Sequence, residues 1–204
     1  MNATALDEIV VTNATELNEE QMEQLVSLFV SGFMHDFEKY FRVKPAAIKS
    51  AIRHSFIAEH YYAALLDTKV AGIVAVSTNY RRSHEFDKKI LQREFGRVKG
   101  ALAASQLRKE LEQPLEQLQY NQGYIECVTT HTSARGKGVA SQLLNHVMKT
   151  LNYDEYILEV IDTNVGAIRL YEKLGFTLFR RQKAELFLRM NGIKERLFMK
   201  AGPL

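Results

Sequence analysis

The most constraining feature of the sequence lies between residues 124 and 151. A β-like run from Tyr124 to Thr130 leads through small and basic residues into a helical pattern with Val139, Leu143, Leu144, Val147, Met148 and Leu151 on one face. The strand must pair in a sheet and the apolar helical stripe must cover it, so the chain is committed to a layered α/β arrangement. Similar elements surround this unit. "IVVT" (Ile9 to Thr12) precedes an amphipathic helix with Met22, Leu25, Val26, Phe29, Phe33 and Phe37 on one face. Lys44-Pro45 opens a second helix expected to reach about Glu59, and "YYAALL", "DTK" and "VAGIVAVST" read as a hairpin in which Gly72 marks a bulge or close approach.

Residues 79–122 change character. Phe86, Ile90, Leu107, Leu111, Leu115 and Leu118 sit at helical spacings among many charges, which predicts a helical excursion whose Arg81, Arg82, Lys88, Lys89, Arg93 and Arg97 form a solvated face. After the central unit come a strand at Tyr156 to Ile161, a helix containing "AIRLYEKL", and a strand pair near Phe176 to Arg181 and Arg196 to Lys200. No linker or repeat interrupts the 204 residues, so a single domain over 1–204 is expected, with 79–122 as an insertion or acceptor-site lid.

Composition excludes several classes. With 27 basic and 24 acidic residues the net charge of +3 is too small and too dispersed for a dedicated nucleic-acid binder. No apolar run approaches the roughly 18–20 residues that span a bilayer, so no membrane association is expected. One cysteine, Cys127, can form neither an internal disulfide nor a cysteine-rich metal site, and His131 four residues later lacks further ligands, so no metal is expected. "MNATALDEIV" has no signal-peptide pattern, which makes the Asn2 and Asn13 sequons chance matches and predicts a cytoplasmic protein.

The loop Ala134 to Ala140 leaves the first amides of its helix without partners. Together with the helix dipole and the charges of Arg135 and Lys137 they suit a diphosphate, although the glycines alone would also permit a tight turn. A P-loop is excluded because Val139 follows Gly138 where a lysine is required. A dinucleotide-binding unit is nearly matched by Gly136, Gly138 and Asp162, but Ser141 stands in the third glycine's place.

Arg135-Gly136-Lys137-Gly138-Val139-Ala140 resembles the Q/R-x-x-G-x-G/A motif of the GNAT superfamily of N-acetyltransferases, and Leu158 to Phe176 resembles that family's next strand and helix. The resemblance implies a mixed central sheet flanked by helices, with a helical insertion between the third and fourth strands. It also implies acetyl-CoA as cosubstrate and an amine of a small molecule or protein as acceptor, by direct attack in a ternary complex. The pyrophosphate would rest on Arg135, Gly136, Lys137, Gly138, Val139, Ala140 and Ser141. The pantetheine arm would run along Val128, Thr129 and Thr130, with Asn164 contacting it.

Transfer to an amine needs a proton acceptor, because an alkyl ammonium has a pKa of about 10. Glu126 is the first candidate, placed by strand alternation on one face with Val128 and Thr130. Glu159 is the second, and the family resemblance matches Tyr171 to the tyrosine often placed near the thioester sulfur, a candidate to protonate the departing thiolate. Cys127 is expected to be buried and inert. The alternative reading is a non-catalytic CoA-binding module, and a homodimer is compatible with the exposed sheet edges.

Overall fold

A computed structural model describes residues 8–34, 37, 41–115, 117–185, 189 and 192–204. The Asn2 sequon lies outside them, and Asn13 uses its side chain within the fold, accepting from Thr15 N and donating to Glu59 O. Strand β1 (Val10–Asn13) leads into helix α1 (Glu19–Phe33), where Asn18 and Gln21 form a reciprocal capping box. The helix buries Leu25, Val26, Leu28 and Phe29. Its apolar face is shorter than the pattern suggested: the helix is capped at Met34, and Phe33 is 42% exposed, although its ring still meets Phe29 at 5.2 Å.

Helix α2 (Pro45–Ile52) starts at its proline as expected but stops well before Glu59. The chain leaves the helix because Ser55 Oγ donates to the Ile52 carbonyl at 2.7 Å and Phe56 forms a bridge with His84. Strands β2 (Tyr61–Leu66) and β3 (Lys69–Ser77) form the expected hairpin, closed by Asp67 and Thr68, both at positive φ as a two-residue primed turn requires. Gly72 marks a close approach: a Cβ there would lie 2.5 Å from Val139 Cγ1 of the helix packed across it.

The excursion contains α3 (Lys88–Phe95) and α4 (Arg97–Leu111), joined at Gly96 with φ +86°. The remaining elements are β4 (Gln122–Thr130), α5 (Val139–Thr150), β5 (Glu155–Ile161), α6 (Val165–Lys173), β6 (Thr177–Lys183) and β7 (Glu195–Ala201). The seven strands form one sheet in the order β1-β2-β3-β4-β5-β7-β6. Among the described residues only β4 and β5 pair in parallel, and this mixed sheet is unlike the doubly wound dinucleotide-binding arrangement.

Two cores sandwich the sheet. On one face Leu25, Phe29, Ile48, Ile52, Leu91 and Leu107 from α1 to α4 meet Ile73 and Cys127. On the other, Leu143, Leu144, Val147 and Met148 of α5 and Tyr171 of α6 meet Ile125, Leu158, Val160, Leu197 and Met199. The face covered by α1 to α4 is called the front face below.

Candidate active site

The parallel pairing of β4 and β5 runs from Gln122↔Glu155 to Ile125↔Leu158 and stops there. Both strands continue, β4 held by β3 and β5 held by β7, so the sheet opens into a wedge whose inner edges begin at Glu126 and Glu159. The backbone donors and acceptors of β4 that face this gap have no strand partner among the described residues. Such an edge can take an extended ligand as an additional strand.

A bulge in β4 changes which side chains face where. Ala75 pairs with Glu126 but Ile73 pairs with Thr129, and Cys127 takes φ +57°. The extra residue interrupts period-two alternation. Cys127 therefore joins the front core, whereas Val128 packs on the α5–α6 core, so Glu126 does not share a face with Val128 and Thr130 as strand alternation predicted. Burial pushes the Cys127 thiol up, which opposes a thiolate route.

Glu126 is enclosed. Its carboxylate accepts from Ser77 Oγ, from Ser83 Oγ at 2.7 Å, and from both Nη2 and Nε of Arg82. The Glu126 and Arg82 side chains are 8% and 7% exposed. Burial works against the charge, but the Arg82 guanidinium and the hydrogen bonds from Arg82, Ser77 and Ser83 outweigh it and hold the carboxyl below its usual range. Arg82 also donates to the Gln113 carbonyl at 3.1 Å and the Glu110 carbonyl at 3.3 Å, tying the end of α4 to the wedge. The expectation that Arg82 belongs to a solvated helical face is thus overturned: it lies buried in the loop before α3 because Glu126 needs its charge.

Glu159 sits across the gap on the front face, since its neighbours Leu158 and Val160 belong to the opposite core. It accepts a two-point ion pair from Arg196, at 2.5 Å from Nε and 2.7 Å from Nη2, and keeps 18% of its side chain exposed. Tyr171 lies on the other side of the sheet, 6% exposed, its ring centroid 5.9 Å from that of Phe176. Burial pushes its phenol up to about 12, so the group stays protonated. Its hydroxyl makes no hydrogen bond among the described residues. Glu126 and Glu159 thus lie at the gap on the front face, whereas Tyr171 belongs to the core on the opposite face of the sheet.

The loop before α5 presents an open backbone. Gly136 and Gly138 adopt φ +78° and +83°, and a Cβ at either would meet nothing within 4 Å, so the backbone lies open to a ligand. Among the described residues no side chain caps α5, and the N–H groups of Val139, Ala140 and Ser141 have no intrahelical acceptors. Arg135 is exposed beside them. These features fit a pyrophosphate. Asn164 caps α6 by accepting from Ala167 N at 3.2 Å, which leaves its amide NH2 to donate. A cleft of about 830 Å³ lies nearby between α1, the β2–β3 turn and the loop residues His131, Ser133 and Lys137, but none of Glu126, Glu159 and Tyr171 lines it. Among the described residues no group of three or more His, Cys, Asp or Glu could hold a metal, and no helix is long and apolar enough to cross a membrane.

Within the front core, His84 bridges Ser55 Oγ at 2.8 Å and the Tyr61 hydroxyl at 2.7 Å, packed by Phe29, Phe56 and Phe86. Burial, above all, lowers its pKa to about 3. The unfolded imidazole protonates near 6.5, so between those values the unfolded chain binds more protons and stability falls on acidification, by about 1.4 kcal/mol per pH unit. This one group should remove about 2 kcal/mol by about pH 5. Thermal melts across that interval should show a steeper loss for the native protein than for His84→Gln; equal slopes would contradict the assignment.

Sequence reasoning missed Arg82, Arg196, Ser77 and Ser83. The available signal was indirect: a charged residue on an otherwise apolar strand, such as Glu126 or Glu159, requires a cation brought by another element.

Residues 22–176 match the acetyltransferase (GNAT) family. N-alpha-acetyltransferase 30 of Dictyostelium discoideum is 39% identical over 62 residues, which span 29% of this chain and only 34% of that protein. Among solved structures, an N-acetyltransferase from Staphylococcus aureus Mu50 superposes with a TM-score of 0.62 at 17% identity, covering 94% of this chain and 100% of the other. A chain of the NatC complex bound to Gag peptide and CoA gives 0.54 at 17% identity, covering 96% and 98%. At such identities the structural likeness establishes the fold alone. Because the family match extends over most of the sequence and includes the opened strands and the loop between them, the chain belongs to the acetyltransferase (GNAT) family.

Proposed function

We propose that this chain transfers an acetyl group from acetyl-CoA to a primary amine by direct attack in a ternary complex. The observation that carries the reading is the end of β4–β5 pairing at Ile125↔Leu158 beside an uncapped α5. Acetyl-CoA, when bound, supplies the activated acyl group. The amides from Gly136 to Ser141, with Arg135 and Lys137, hold the pyrophosphate, and the unpaired edge of Val128, Thr129 and Thr130 holds the extended arm, with the Asn164 amide as a further donor. A β4 amide at the bulge offers a hydrogen bond to the acyl oxygen as it gains charge.

Of the two carboxylates, Glu159 is the one with an accessible edge, and it takes the ammonium proton through water. Glu126, its oxygens already occupied, positions the wedge. Tyr171 gives its hydroxyl proton to the departing sulfur, and the second proton that nitrogen sheds as the amide forms returns through solvent to the phenolate. The excursion closes the acceptor side through the hold of Arg82 on α4. The similarity to an N-alpha-acetyltransferase favours a protein amino terminus as acceptor. The single buried cysteine suits a reducing compartment, the cytoplasm.

A second reading, a CoA-binding module without turnover, is favoured by one observation: arginines occupy both carboxylates. Incubation with acetyl-CoA and a panel of peptides and small amines, followed by thiol release and mass spectrometry, separates the two. Acetylated amine with matching thiol release is expected. Tight acetyl-CoA binding with no transfer to any acceptor would replace the first reading by the second.

A further inference from the structure

The front face continues beyond the wedge. Helix α1 packs over β3 and β4, and α2 to α4 join the same core, while across β5, β7 and β6 the residues Glu159, Phe198 and Arg180 stand in one register row. Phe198 lies between Leu197 and Met199, both in the α5–α6 core, so its ring points to the same side as Glu159. The register shift between Leu178 and Arg180 lets the Arg180 guanidinium reach that ring, 3.8 Å from its centroid.

Arg180 differs from its neighbouring cations. Arg196 is paired with Glu159 and Lys200 with Glu155 at 2.8 Å, whereas Arg180 is exposed and has no carboxylate partner among the described residues. A guanidinium over an aromatic face keeps its N–H donors in its own plane, directed away from the ring and available to a two-point acceptor such as a carboxylate. Phe198 also limits the orientations Arg180 must give up on binding.

Spacing sets the length of the ligand. Two strand separations of about 4.8 Å put Arg180 roughly 10 Å from Glu159, which an extended chain crosses in about three residues. Building on the acetyl-transfer reading above, we propose that the acceptor is a polypeptide amino terminus with an acidic side chain about three residues from the reacting amine. The amine lies at Glu159 and the acidic group on Arg180.

The test uses the full chain, acetyl-CoA and three peptides that differ only at the third residue, which is Glu, Ala or Lys. The Glu peptide should exceed the Lys peptide at least tenfold in kcat/KM. Arg180→Glu should reverse that order and Arg180→Gln should abolish it, with the KM for acetyl-CoA and the melting temperature unchanged. Equal rates for the three peptides, or a preference that survives in Arg180→Glu, would overturn this inference while leaving acetyl transfer intact. Binding of acetyl-CoA without transfer to any peptide or amine would overturn the transfer reading, and this inference with it.

Discussion

Replacing Arg82 by alanine should destabilise the protein by about 3–5 kcal/mol, because it leaves the Glu126 carboxylate buried without its counter-charge. With both side chains under a tenth exposed, solvent cannot take the place of the lost partner. The same substitution frees the Gln113 and Glu110 carbonyls at the end of α4, so the excursion should loosen first. Urea denaturation measures the total. Because part of the cost is the orphaned charge, Arg82→Ala combined with Glu126→Gln should be more stable than the single variant, a coupling of the kind that contacting residues show. Arg82→Lys should recover only part of the loss, since an ammonium cannot reproduce the forked contact. A cost below about 1 kcal/mol for Arg82→Ala, within the range of exposed pairs, would contradict the buried network.

Glu159→Gln should lower kcat by about 100- to 10,000-fold, the range that a positioned proton acceptor contributes. Glutamine retains the shape and one acceptor oxygen for Arg196, so the melting temperature and the affinity for acetyl-CoA should change little. Glu126→Gln provides the contrast, because that carboxylate sits in a closed network and its loss should appear mainly as reduced stability. Steady-state kinetics over a pH series compare the two. A Glu159→Gln variant that keeps activity within tenfold of the native protein would remove Glu159 from the proton path.

The parts of this fold written in local pattern were legible from the sequence. The α5 stripe, the tight glycine-bearing turn before it and the hairpin turn within "DTK" each follow from residue types within a few positions. Features set by tertiary contacts were not. Cys127 adopts a left-handed conformation without being glycine, so nothing in "IECVT" announces the bulge that sets Glu126 apart from Val128. Arg82 reads as part of a solvated face, and His84 gives no signal at all, because their burial depends on partners more than twenty residues away, Glu126 and Tyr61. Helix α2 ends early for a similar reason, since Phe56 joins His84 instead of extending the helical turn. The wedge itself follows from where β4 and β5 part, which side-chain periodicity does not encode.

The most direct test of the account is a calorimetric titration of the full chain with acetyl-CoA, with NAD as the control. The open strands and the uncapped α5 predict saturable one-to-one binding of acetyl-CoA, and at 100 times the dissociation constant a stabilisation of about 2.7 kcal/mol in parallel melts. NAD should produce neither effect. An absence of both heat and stabilisation with acetyl-CoA would contradict the assignment of the wedge and the loop before α5 as the acetyl-CoA site.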